Sequence, residues 1–129
     1  MASRGGNFLL NVGPTPDGAI QPEFSDRLKG IGKWMDRNSE SIYGTTYGPI
    51  QGVSAVRTTA NGSDVFIHIF DWPGTTLQLS AENLPPFRSA GLLASGEPIA
   101  FHQESRRVVL TLPPQAPDPD VTVIVMKGA

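Results

Sequence analysis

Residues 53–70 read VSAVRTTANGSDVFIHIF, and the fold turns on how they are parsed. Two runs rich in β-branched and aromatic residues, Val53–Thr59 and Asp64–Phe70, flank Asn61-Gly62. That dipeptide between alternating runs is the strongest short-range hairpin signal, because a type I′ turn needs positive φ at both central positions. In the second run Val65, Ile67 and Ile69 point one way, and Phe66, His68 and Phe70 the other. Both faces are apolar, which predicts a central strand covered on both sides. His68 sits between two phenylalanines, so it reads as a buried, hydrogen-bonded core histidine.

Toward the C-terminus the same pattern repeats. Asp71-Trp72-Pro73-Gly74 forms the next turn, and strands are predicted at Thr75–Leu79, Arg88–Ala94, Ile99–Gln103, Arg106–Leu112 and Val121–Met126. Breakers separate them: Pro85-Pro86, Ser95-Gly96 and the run from Pro113 to Asp120. About seven short antiparallel strands with frequent turns predict a β-sandwich and a mainly β fold. Val121–Met126 is apolar on both faces and reads as an interior strand. The prolines at 113, 114, 117 and 119 read as a surface connection crossing between sheets.

Toward the N-terminus the period changes. Ser41–Gly52 reads as a connector, with Tyr43 and Tyr47 plugging the seam it crosses. Phe24, Leu28, Ile31 and Met35 share one face of a helix from about Pro22 to Asn38, with proline suited to its first position. Before it lie a breaker-rich loop and the short apolar run Phe8, Leu9, Leu10 and Val12, the pattern of a strand in a parallel sheet. Nothing precedes this βα unit to pair with it. The chain thus divides into a strand–loop–helix piece, 1–48, and a sandwich, 49–129. The unpaired piece predicts a homo-oligomer formed through the N-terminal strand and helix.

Composition sets further bounds. Hydrophobic content of 39% and charge of 17% describe an ordinary globular chain. A net charge of −2 makes no electrostatic case for nucleic acid or an anionic membrane as partner. No apolar run approaches the ~18 residues of a spanning helix. The absence of cysteine excludes disulfides and thiolate chemistry. His68 and His102 are the only histidines; the latter reads as a surface residue, and the pair gives no metal or cofactor signal. There is no G-x-S-x-G, G-x-G-x-x-G or P-loop pattern. Trp72 has two readings: it folds back onto its own sandwich, or it stacks on a sugar face.

GGNFLLNVGPTPDG (5–18) and RLKGIGKWMDRNSESIYGT (27–45) resemble the end of the catalytic barrel of the α-L-fucosidases of glycoside hydrolase family 29. VFIHIFDWPG (65–74) and the proline-rich stretch before VTVIVM (121–126) are similar to that family's C-terminal β-sandwich. The resemblance implies that residues 1–48 are the last strand and helix of a (β/α)8-type barrel. At Ser39 the family tends to carry glycine, so a strained serine is expected there if the position needs positive φ. Retaining glycosidases need two carboxylates about 5–5.5 Å apart. In the family these groups, and the histidines that hold fucose, lie upstream of the segment resembled here, so no catalytic residue is assigned. The resemblance implies a truncated, fucosidase-like chain keeping the accessory sandwich, without activity of its own. A weak binding module for fucosylated glycans using Trp72, and a small hydrolase with a site within the fragment or at an oligomer interface, are the alternatives.

Overall fold

The computed structural model describes residues 1–129. One helix, α1 (Pro22–Asn38), precedes eight strands: β1 (Thr46–Tyr47), β2 (Val56–Asn61), β3 (Asp64–Ile69), β4 (Thr76–Ser80), β5 (Phe87–Leu92), β6 (Ala100–Glu104), β7 (Arg107–Thr111) and β8 (Thr122–Gly128). They form a five-stranded sheet, β1-β2-β3-β8-β5, and a three-stranded sheet, β4-β7-β6. All pairings are antiparallel. The fold is mainly β and sandwich-like, as the strand spacing predicts. The proline run leads from β7 in the smaller sheet to β8 in the larger one, the crossing expected of it.

The two sheets bury one core. Val65, Ile67 and Ile69 of β3 and Ile124 and Met126 of β8 face Leu77 and Leu79 of β4 and Val108 and Leu110 of β7. Alternation selects these side chains, since every second residue of a strand points the same way. β3 and β8 are interior strands, each with a neighbour on both edges, and α1 covers part of their outer face through Trp34, which lies against His68 and bonds to the Val121 carbonyl.

The hairpin differs from its sequence reading by one residue. Asn61 pairs with Asp64, so the two-residue loop is Gly62-Ser63. Gly62 has φ 59°, and no non-glycine residue in the chain has positive φ. A turn with glycine first and a negative-φ residue second is the II′ pattern rather than I′. Asp64, the first residue of β3, also ties that strand to the end of β8: its carboxylate accepts from the Gly128 N–H at 3.0 Å and from Lys127 Nζ at 2.9 Å.

Four other expectations are corrected. Phe8–Val12 forms no strand, because no strand of this chain lies beside it to complete a ladder. Tyr43 and Tyr47 do not plug the seam; they are 71% and 65% exposed, and the aliphatic Ile50 is buried there instead. The connector itself contributes β1, which pairs Thr46 and Tyr47 with Ala60 and Thr59. Gly48 permits this approach, since a Cβ there would overlap Thr58. Ser39 lies at φ −58°, ψ −29°, ordinary right-handed backbone, so its departure from glycine carries no strain.

Candidate functional site

The polar chemistry of the chain converges where α1 meets the outer face of the larger sheet. α1 is anchored there by its C-terminal half. Trp34 Nε1–H donates to the Val121 carbonyl at 2.9 Å, and Arg37 pairs with Asp118 at 3.1 Å. Asp118 also accepts from the backbone N–H groups of Asp120 and Val121, fixing the entry to β8.

Beneath this anchor lies His68, 5% exposed, its ring tilted 32° from that of Trp34 with centroids 6.4 Å apart. Its Nε2 is 3.1 Å from Thr59 Oγ1. The Thr59 hydroxyl has one hydrogen, which it donates to the Ser41 carbonyl at 2.6 Å. Its oxygen therefore accepts from His68 Nε2–H, and this sets the tautomer of the neutral ring. Burial pushes the His68 pKa down to about 4; the Ser41 carbonyl opposes the shift, and the N-terminal ammonium adds to it. The expected core histidine is present. Thr59 and Ser41 as its partners are not legible in sequence, since each sits eight or more positions from it on another element.

Two grooves adjoin this network. One, of about 500 Å³, is walled by Ile31, Trp34, Phe70 and Val121, with His68 at its floor and Arg27 and Asp120 among its lining residues. The other, of about 890 Å³, runs between the first eight residues and α1, lined by Phe8, Ile31, Met35, Ile42 and Tyr43. The first holds a single carboxylate and the second none.

The other candidate residues lie elsewhere. Trp72 is half-buried against the core, and its Nε1–H donates to the Pro113 carbonyl at 3.0 Å. That bond ties the turn after β3 to the connection after β7. His102 is exposed on β6, 3.7 Å from Glu104. No group of three His, Asp or Glu side chains is placed to hold a metal ion. The two carboxyls with displaced titration both shift down. Asp17 is lowered by the Thr15 hydroxyl and by the backbone N–H groups of Asp17 and Ala19. For Asp64 burial acts upward, but bonds from Lys127 and Gly128 and the charges of Lys127 and Arg88 outweigh it.

Comparison with known proteins bears on what this arrangement belongs to. A family description, Alpha-L-fucosidase, matches residues 1–40. A human tissue α-L-fucosidase is 43% identical over 74 residues, 55% of this chain and 16% of the relative. An α-L-fucosidase of Branchiostoma floridae is 35% identical over 103 residues, 77% of this chain and 23% of the relative. The structure of α-L-fucosidase isoenzyme 1 from Paenibacillus thiaminolyticus superposes with a TM-score of 0.82 at 30% identity, over 96% of this chain and 31% of that one. The helix, the strand order and the sequence matches agree: this chain belongs to the α-L-fucosidases of glycoside hydrolase family 29, spanning under a third of the length of these relatives.

Proposed function

We propose that this chain is the accessory portion of an α-L-fucosidase and has no fucoside-hydrolysing centre of its own. In this reading residues 1–48, an unpaired apolar segment, a loop and α1, border a catalytic unit, and residues 49–129 are an accessory β-sandwich that buttresses it. The observation that carries it is the distribution of carboxylates. Retention requires a nucleophile and an acid/base about 5–5.5 Å apart across a sugar. Neither groove beside α1 holds two carboxylates. Several of the twelve acidic residues are engaged structurally: Asp64 with Lys127 and Gly128, Asp118 with Arg37 and two backbone N–H groups, Glu104 with Arg107. A catalytic acid also needs a raised pKa, and the two displaced carboxyls go the other way.

The test is hydrolysis of an aryl α-L-fucoside by the purified chain, with Asp120→Asn as the comparison because Asp120 is the one carboxylate in the 500 Å³ groove. The expected result is no turnover above a buffer blank for either protein. Turnover that survives repurification and disappears in Asp120→Asn would overturn the reading.

A further inference from the structure

The chain has asparagines at positions 7, 11, 38, 61 and 83, and Asn61 alone is followed by glycine. That order matters because the backbone nitrogen of the next residue is the nucleophile nearest an asparagine side-chain carbonyl. Attack closes a five-membered ring, and a side chain on the next residue obstructs it. Glycine has none. Asn38 is followed by the small Ser39, yet it is 1% exposed at the end of α1, and its Nδ2 donates to the Trp34 carbonyl at 3.1 Å.

The tip of the β2–β3 hairpin leaves the reacting groups free. Asn61 is exposed, and the Gly62 N–H donates to no carbonyl. The side-chain hydrogen bonds around it belong to Thr59 and Asp64, so no partner holds the Asn61 carboxamide. A Cβ at Gly62 would meet nothing within 4 Å, which places the loop in open space. The far side of the turn is fixed instead. Ser63 lies so close to Gly128 that a Cβ there would overlap it, and Asp64 holds Lys127 Nζ and the Gly128 N–H.

We propose that Asn61 is a site of spontaneous covalent modification, converted through a cyclic imide with Gly62 to aspartate and isoaspartate. The Gly62 nitrogen bonds to Asn61 Cγ as the Cγ–Nδ2 bond breaks, and Nδ2 leaves as ammonia with the proton that the Gly62 nitrogen gives up. Water then opens the ring and returns a proton to that nitrogen. Addition at Cγ yields aspartate. Addition at the residue 61 backbone carbonyl carbon yields isoaspartate, whose main chain runs through Cβ and Cγ and is longer by one methylene. Either product sets a carboxylate at position 61 directly across the ladder from Asp64. Like charges directly opposite are destabilising. Isoaspartate also displaces the pairing of residues 61 and 64, and so loosens the hold of Asp64 on the end of β8.

The test incubates the purified 129-residue chain in mildly alkaline buffer, where more of the Gly62 nitrogen is deprotonated. Peptide mapping with fragmentation follows each asparagine, and labelling by a protein L-isoaspartyl methyltransferase reads the isoaspartyl form. The expected result is conversion at Asn61 ahead of the other asparagines, with aspartate and isoaspartate both present. Gly62→Ala should slow it by about tenfold, a barrier higher by about 1.4 kcal/mol. Because that variant also disturbs the turn, parent and variant are compared again in guanidinium chloride, where the obstruction acts without the fold. The isoaspartyl form, separated by its added negative charge, should exchange its Asp64 and Gly128 amides about tenfold faster than the parent. Asn61→Asp, with the charge but an ordinary main chain, should exchange them more slowly than the isoaspartyl form. Asn61 left intact in the folded chain while the unfolded chain converts would overturn the proposal. So would faster conversion at another asparagine, or equal rates for Gly62→Ala and the parent. Unchanged exchange at Asp64 and Gly128 in the isoaspartyl form would overturn the link to β8.

Discussion

His68 is the residue whose chemistry depends most on its surroundings. A histidine held neutral by burial binds no proton in the folded state until about pH 4, whereas the unfolded chain binds one near pH 6.5. Between these values the unfolded state holds more protons, so stability falls as the solution is acidified. The contribution is complete above pH 6.5 and is lost progressively down to about pH 4. A shift of that size corresponds to roughly 3 kcal/mol at the most. We expect the melting temperature to drop between pH 7 and pH 4.5, and His68→Gln to flatten that dependence. Asp64, with its pKa lowered, loses its contribution only below the ordinary carboxylate range, so the two groups act in separate windows. A pH slope identical in His68→Gln would show that the histidine is not the titrating group. That a histidine between two phenylalanines would be buried follows from strand alternation; that Thr59 would orient it and Trp34 cover it follows from pairing β2 with β3 and from laying α1 across them.

Among the elements, the β2–β3 hairpin shows how a register is chosen when two turns compete. Asn61-Gly62 suits a type I′ turn, and Gly62-Ser63 suits II′. The second places Asn61 opposite Asp64 and Ile67 opposite Thr58, and it aims Val65, Ile67 and Ile69 into the core. Moving the turn by one residue would shift the pairing by two, setting Ile67 opposite Val56 while keeping Val65, Ile67 and Ile69 on the same face. Cross-strand contacts of the observed register, such as Thr59 with His68, thus decide between turns that the local sequence leaves nearly equal. Gly62→Ala isolates the conformational part of this choice. A Cβ there meets nothing within 4 Å, so its effect comes from the backbone at φ 59° alone. We expect a loss of about 1–2 kcal/mol, the cost of holding an L-residue in the left-handed region. Urea unfolding measures it, and Asn61→Ala should change stability far less, since Asn61 is an ordinary strand residue. Equal losses for the two variants would restore the I′ assignment.

For the molecule as a whole, the sandwich and the N-terminal piece differ in what holds them. The strands share a continuous core, whereas α1 is fixed by the Trp34 and Arg37 contacts near its C-terminal end, and its first turns lie open. The sandwich unit also begins earlier than its repeating strand pattern. Ile50 is 3% exposed, and its backbone exchanges hydrogen bonds with the Thr58 hydroxyl. A polypeptide of residues 46–129 should therefore melt in one cooperative transition, and one of residues 53–129, which loses β1 as well as Ile50, should be less stable by at least about 1.5–3 kcal/mol, the worth of one buried isoleucine. Equal midpoints in urea for the two would place Ile50 outside the core. By itself the sequence determined the β-sandwich, the helix from Pro22 to Asn38, the interior place of β3 and β8 and the proline crossing. Each is written in a period of two or near 3.6 residues, or in residues that restrict φ, and such signals are local. It also determined the family, through motifs in the first 45 residues and the match over residues 1–40. Tertiary structure alone decided the turn register, the pairing of β1, the burial of Ile50 in place of Tyr43 and Tyr47, and the bond between Thr59 and His68. It alone left Phe8–Val12 without a ladder. A strand's apolar pattern says that it can be buried, but hydrogen-bonded neighbours are what make it a strand, and this chain places none beside that segment.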